Sequence, residues 1–212
     1  NDRKMYIMDS DGSNLKCLTT SLDQTPGGPI WSSNGQGVYF NVREYGQSNV
    51  YYADLGGKVK KVTDGNHMLG MTDLVGKKAV ATWTNPSNPS DIVSFSIDKS
   101  SKIKRLTEVN NDLFYNVEFG QVEEITYASK DGMKVQGWIV KPPQFDPNKK
   151  YPLVLRIHGG PHSMYHVGFN YNFQLHAAQD QVVLYTNPRG STGYGYEFAN
   201  AIQNAYPGND YD

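Results

Sequence analysis

Tyr151-Pro152-Leu153-Val154-Leu155-Arg156-Ile157 runs directly into His158-Gly159-Gly160-Pro161-His162. The first part is nearly continuous in apolar character, which is typical of a strand buried on both faces of a largely parallel sheet. The paired glycines allow unusual backbone dihedral angles and leave no side chain to block an approaching ligand, and the proline stiffens the next residues of the loop. We therefore predict a loop at the end of a central strand that presents backbone N–H groups to a bound group.

Such N–H groups can stabilise the oxyanion that forms when an acyl carbonyl is attacked, by about 2.7 to 4 kcal/mol per donor. Hydrolases of the α/β type take one donor from a loop of this kind and a second from the residue after the nucleophile. An isolated His-Gly-Gly-Pro is more often a simple tight turn. Its position after an apolar strand favours the functional interpretation.

The flanking sequence predicts an α/β arrangement. Residues 122–127 and 133–140 surround Lys130-Asp131-Gly132 and are expected to form a β-hairpin, followed by a Pro-rich loop at 141–150. Residues 169–179 contain no helix breaker and predict a helix. Val182-Val183-Leu184-Tyr185-Thr186 predicts a second buried strand, leading to Asn187-Pro188-Arg189-Gly190-Ser191-Thr192-Gly193-Tyr194-Gly195. Strand, loop, helix and strand in this order indicate a doubly wound sheet.

The first half of the chain contains a repeat. Lys16-Cys17-Leu18-Thr19, Lys60-Lys61-Val62-Thr63 and Lys104-Arg105-Leu106-Thr107 are spaced by 44 residues, and a β-rich stretch ending in Asp precedes each of them. Four short strands per unit of this length are typical of a β-propeller blade. Residues 1–19 then form the outer half of one blade, and 20–63 and 64–107 form two more. The alternative is an ordinary β-sandwich.

Two and a half blades should not close a ring, because propellers have about 4 to 8 blades. We therefore expect either a fragment or further blades on another chain. The net charge of -1 does not favour nucleic acid as a partner, and no apolar run approaches the about 20 residues of a membrane helix. The single Cys17 forms no internal disulfide, and no Cys/His cluster has zinc spacing. We expect a soluble protein without a cofactor or metal, and the sequence leaves the compartment, cytoplasm or periplasm, open.

The His-Gly-Gly-Pro motif, followed about 25 residues later by Asn-Pro-Arg-Gly-Ser-Thr-Gly-Tyr-Gly, resembles the prolyl oligopeptidase family of serine peptidases. The similarity is greatest to its acylaminoacyl-peptidase and dipeptidyl-peptidase-like branches. This resemblance implies a β-propeller followed by an α/β-hydrolase domain. The expected fold is mixed: a partial propeller at 1–110, a linker at 111–121 and the N-terminal part of the hydrolase domain at 122–212.

The resemblance also implies a catalytic serine in Gly-x-Ser-x-Gly, then an aspartate and a histidine. None of the 212 residues is a serine in that context, and Ser191 corresponds to a structural position. The closing segment 208–212 is similar to the stretch that precedes the nucleophile's helix and strand. We therefore expect the chain to end before the triad and to be inactive alone. Its five histidines are interpreted as loop or surface residues, not as the base.

Gly160, through its backbone N–H, is the first candidate for the oxyanion hole. His158 stands where some branches have a tyrosine that donates to the oxyanion, so it either shares that role or only holds the loop. Arg189 is expected to brace the loop beneath the site.

The resulting hypothesis is a serine-type peptidase that hydrolyses short or N-terminally blocked peptides through an acyl-enzyme. Its expected partners are a peptide substrate and either the remainder of its own protein or a second copy of the chain. The alternatives are a propeller-type binding module and an esterase of the α/β-hydrolase superfamily.

Overall fold

A computed structural model describes residues 3–98 and 102–210. Residues 1–2 and 99–101 of the repeats, and residues 211–212 of the closing segment, lie outside the described residues. The described part is mostly β-sheet with three short helices, and none of its three sheets closes on itself. No helix in these two ranges is long and apolar enough to cross a membrane.

The repeats fold as antiparallel strands. The strands are β1 (Tyr6–Ile7), β2 (Lys16–Cys17), β3 (Pro26–Trp31), β4 (Gly37–Glu44), β5 (Gln47–Asp54), β6 (Val59–Lys61), β7 (Met68–Val75), β8 (Lys78–Asn85), β9 (Asn88–Ser96) and β10 (Lys104–Arg105). β1 pairs with β2, while β3 to β6 and β7 to β10 form two four-stranded meanders. A parallel pairing of Ser48 with Met68 joins the two meanders. Each complete repeat thus contains the four strands that its length predicted.

A threonine at the same position of each repeat links the C-terminal end of that repeat to the preceding strand by a hydrogen bond. In every case its hydroxyl oxygen accepts a hydrogen bond of 2.9 Å from a backbone N–H, the pairs being Thr19 with Met5, Thr63 with Val50 and Thr107 with Ile92. In two repeats the hydroxyl also donates to the side chain just before that N–H, Thr63 to Asn49 and Thr107 to Asp91. The 44-residue spacing of the sequence repeat therefore corresponds to a threonine hydrogen bond that recurs in every repeat.

The core of this half lies between successive repeats. Strand β4 sends alternate side chains to two apolar clusters, Tyr39 to the one shared with β7, β8 and β9, and Phe40 to the one shared with Leu18 and Leu22. This alternation follows from the two-residue period of a strand. The first complete repeat therefore buries its two faces against different neighbours.

The second half forms a mixed sheet of four strands. Its elements are α1 (Asn111–Phe114), β11 (Val122–Ala128), β12 (Lys134–Val140), β13 (Leu153–Arg156), α2 (Tyr171–Ala177), β14 (Val182–Asn187) and α3 (Tyr196–Asn200). The sheet order is β11-β12-β14-β13, and only β13 and β14 are parallel. The hairpin, the helix and the second strand are confirmed where the sequence predicted them.

The prediction that the strand before His158 is buried on both faces is wrong. In this structure β13 is an edge strand that pairs with β14 alone among the described strands. Leu153 and Leu155 are 61% and 53% exposed, whereas Val183 of the central strand β14 is fully buried. The strand itself forms where its apolar residues predicted it, but no described element covers this side of β13.

The tight turn between β4 and β5 joins the two halves. The backbone of Tyr45 donates to the carbonyl of Gly193, and Val167 donates to the carbonyl of Gly46. Gly46 has φ +72°, and a Cβ atom there would lie 2.5 Å from the ring of the buried Trp138. Only glycine allows the turn to approach that ring so closely.

We expect Thr63→Val to lower the free energy of unfolding by about 1–3 kcal/mol, because Val50 N–H and Asn49 lose their shared partner. Urea unfolding measures the change. Thr72→Val is the matched control, since the Thr72 hydroxyl makes one exposed bond to Val80, and it should change stability by less than about 0.5 kcal/mol. Equal losses in the two variants would contradict the role of Thr63.

Gly46→Ala and Gly76→Ala separate backbone strain from close packing. Both glycines have positive φ, but the site of a Cβ at Gly76 is open. Each substitution should cost about 1–2 kcal/mol in backbone strain, and Gly46→Ala should cost about 1–3 kcal/mol more because it overpacks against Trp138. Urea unfolding followed by tryptophan fluorescence reports the difference. If the two variants are equally stable, the turn does not depend on contact with Trp138.

Candidate active site

The glycine loop after β13 contains backbone donors that no described residue accepts from. Gly160 has φ +137°, and a Cβ atom there would lie 2.9 Å from the backbone nitrogen of His162, so only glycine fits. Within residues 3–98 and 102–210, neither Gly159 nor Gly160 donates its backbone N–H to an acceptor. Both residues are exposed. The loop therefore presents free N–H groups at the end of β13, as an oxyanion site requires.

The imidazole of His158 points into the protein. Its Nε2 lies 2.9 Å from the Ser191 hydroxyl, and that hydroxyl donates to the carbonyl of Pro188 at 2.6 Å. Since the Ser191 proton is committed to Pro188, the Ser191 oxygen accepts from His158, which places a proton on Nε2. The second ring nitrogen lies 3.2 Å from the carbonyl oxygen of Gly159. The hydrogen bond from Nε2 to Ser191 thus links the ring to the second loop, and the ring packs edge-on against Tyr165.

Asn187, at the end of β14, ties the second loop to the first. Its side chain is fully buried, accepts from the backbone N–H of Tyr165 at 2.7 Å and donates to the Tyr165 carbonyl at 2.9 Å. It also donates to the Tyr194 hydroxyl at 2.7 Å. Two further bonds join the same loops, between His162 Nδ1 and the Gly190 carbonyl and from Thr192 N–H to Ser163. The two motifs therefore form one structural unit.

Arg189 connects this unit to the β11–β12 turn. Its guanidinium donates to the Asp131 carboxylate at 2.7 Å and to the Ser129 hydroxyl at 3.2 Å. The hydrogen bond from Arg189, together with those from Ser129 and the Met133 backbone, holds the pKa of Asp131 well below its usual range. The bracing hydrogen bonds expected for Arg189 are present.

Within residues 3–98 and 102–210, the remaining serine and histidine side chains do not assemble a nucleophile and base. Ser191 is fully buried, which agrees with a structural position. His67 lies in a loop, as expected, but it is buried against Asn49, and burial lowers its pKa. His176 departs from the expectation, because it lies half-buried on α2, where its Nδ1 contacts Gln181.

Some functional contacts were not visible in the sequence. The motif pattern marked the segment that begins at Asn187 but gave no partner for its side chain, because Tyr165 is 22 residues away. The packing of the Tyr45-Gly46 turn against the second loop was also missed. A Tyr-Gly pair between two strands predicts a turn, and nothing in it predicts what the turn contacts.

An open N–H loop after one strand, braced by the loop after the neighbouring parallel strand, is the arrangement on the oxyanion side of α/β-hydrolase sites. Residues 167–212 match the model described as the prolyl oligopeptidase family. The uncharacterized peptidase YuxL of Bacillus subtilis (strain 168) is 36% identical, over 99% of this chain and 34% of its own length. Dipeptidyl-peptidase 5 of Aspergillus fumigatus is 27% identical, over 100% of this chain and 30% of its own.

A solved acylaminoacyl peptidase in complex with Z-Gly-Gly-Phe-chloromethyl ketone matches with a TM-score of 0.83 and 26% identity, over 98% of this chain and 32% of that chain. The comparisons confirm the relationship to the prolyl oligopeptidase family that the two motifs predicted. The chain spans about a third of the length of these relatives.

We expect His158 at neutral pH to occupy the tautomer with its proton on Nε2, because the Ser191 oxygen accepts from that nitrogen. Long-range ¹H–¹⁵N correlation spectra of the imidazole distinguish the tautomers. Ser191→Ala should weaken this preference, whereas Ser33→Ala, at an exposed turn far along the chain, should leave it unchanged. A predominant Nδ1–H form in the unmodified protein would contradict the assignment.

Proposed function

We propose that these residues supply the oxyanion side of a serine-type peptidase that hydrolyses amide bonds of short or N-terminally blocked peptides through an acyl-enzyme. The observation that carries the proposal is the exposed Gly160, whose backbone N–H has no acceptor among the described residues, in a loop that only glycine can form. The named peptidase relatives support the reaction class, and the blocked peptide in the solved acylaminoacyl peptidase supports the substrate class.

In this proposal Gly160 donates its N–H to the oxyanion of the tetrahedral intermediate, where charge develops as the carbonyl is attacked. His158 acts as a positioning residue. Its Nε2 proton is already bound by Ser191, so the ring holds the loop and does not donate to the substrate. Asn187 and Arg189 keep the second loop in place beneath it.

The proposed division of the chain follows the sheets. Residues 1–110 form part of a β-propeller, with the two meanders as complete blades, 111–121 are the linker, and 122–212 begin the hydrolase domain. The repeated threonine bond and the stacking of successive repeats on alternate faces support the propeller. A propeller at this place would restrict entry to small substrates.

The full product of the gene that encodes these residues should hydrolyse a blocked peptide p-nitroanilide and react with a fluorophosphonate. Gly160→Ala should lower kcat by about 10²–10³, because the Cβ displaces the loop. Gly12→Ala, which also has positive φ but open space, should retain activity. The 212 residues alone should be inactive, since they contain no Gly-x-Ser-x-Gly.

Three results would refute the proposal: an absence of labelling in the full product, full activity of Gly160→Ala, or labelling of the 212 residues alone. Hydrolysis of p-nitrophenyl esters without hydrolysis of anilides would indicate an esterase instead. Circular dichroism spectra and melting curves of the Gly160→Ala protein show whether the loss of kcat occurs in a folded protein.

A further inference from the structure

A cavity of about 540 Å³ lies where the first meander meets the loop after β14. Its walls include Arg3 and Arg43 from the repeat half and Thr192 and Gly193 from the second loop. The loop that forms this wall also carries Ser191, which binds His158 beside the glycine loop. The cavity therefore adjoins the supports of the candidate oxyanion site.

Glycines keep one side of this cavity open. A Cβ atom at Gly27 would meet no atom within 4 Å, and one at Gly28 would come no closer than 4.0 Å to Asn41. The side chain of Asn41 is already bound to the backbone of Leu69 and Met71. The described residues thus leave this space unfilled, and its volume is within the size range of small-ligand sites.

Neither cavity arginine has a counter-charge among the described residues, and both residues are exposed. Within residues 3–98 and 102–210, neither Arg3 nor Arg43 makes a hydrogen bond or an ion pair with another side chain. By contrast, Arg105 pairs with Asp91 and Arg189 pairs with Asp131. Two unpaired guanidinium groups on one cavity produce a positive potential that an anion would neutralise.

The positive charge of Arg43 affects the neighbouring imidazole of His166. Partial desolvation lowers the pKa of His166, and the positive charge of Arg43 lowers it further. No carboxylate contributes to this shift in the opposite direction. The charge of Arg43 therefore acts on His166, which lies in the segment after the glycine loop.

We propose that this cavity binds a carboxylate of the peptide substrate, with Arg43 as the principal contact and Arg3 as the second. The proposal rests on the peptidase function proposed above. A guanidinium matches a carboxylate through two parallel N–H···O bonds. The carboxylate is either the C-terminal group of the peptide or an Asp or Glu side chain, because both present the same two oxygens.

Isothermal titration of the 212-residue chain at low ionic strength tests the site without hydrolysis. The probes are acetyl-Gly-Gly-Phe with a free C-terminus, its C-terminal amide, and acetyl-Glu-Gly-Phe amide. At least one carboxylate peptide should bind about 10-fold more tightly than the neutral amide, in line with a charge-assisted bidentate pair. The preferred carboxylate peptide identifies the source of the group.

Arg43→Gln should abolish this preference and Arg3→Gln should reduce it. Lys104→Gln, which removes an exposed positive charge on β10 outside the cavity, should leave it intact. The proposal is overturned if the three peptides bind alike, if none binds, or if Lys104→Gln has the same effect as Arg43→Gln. Melting temperatures of the variants confirm that each is folded.

The ratio of kcat/KM for acidic and neutral peptides in the full gene product provides a second measurement. Hydrolysis without a carboxylate preference would refute this site and leave the peptidase function standing. A carboxylate preference in binding without any hydrolysis would refute the peptidase function and leave this site standing.

Discussion

The buried amide of Asn187 is the constraint on which both motif loops depend. It sits at the end of the central strand β14 and satisfies both backbone groups of Tyr165 while binding the hydroxyl of Tyr194. Without these partners, the partly buried N–H and carbonyl of Tyr165 would lose their hydrogen bonds, and a buried polar group left unpaired costs up to about 1–3 kcal/mol. No other residue type offers a donor and an acceptor on the same short, planar group with this reach. The segment that follows β13 is therefore held in place by a residue at the end of β14.

This arrangement explains why the sequence revealed the loops but not their geometry. Glycine, proline and apolar strand patterns are local, and they correctly predicted β12, α2, β14 and the four strands of each complete repeat. The number of neighbours of a strand is not a local property. The residues of β13 are apolar enough for a central strand, yet the described chain places a partner on only one of its edges.

The same distinction applies to the site. Gly160 was identifiable because its conformation excludes every other residue, and that requirement is visible in the motif. The partner of His158 was not identifiable, since Ser191 lies 33 residues away and is selected by the packing of two loops. Arg43, the principal contact of the proposed carboxylate site, was missed for another reason. It is one polar residue of an alternating strand, a pattern that normally indicates a solvated face.

The open side of β13 also affects how the molecule behaves in concentrated solution. A strand edge with unpaired backbone groups is a template for a further strand, and here Leu153, Leu155 and Ile157 add exposed apolar side chains along it. Natural edge strands usually carry charges, prolines or bulges that discourage such pairing. Pro152 and Arg156 stand at the two ends of this strand, and residues 153–155 between them carry no such feature. Self-association through the middle of this edge therefore competes with solubility.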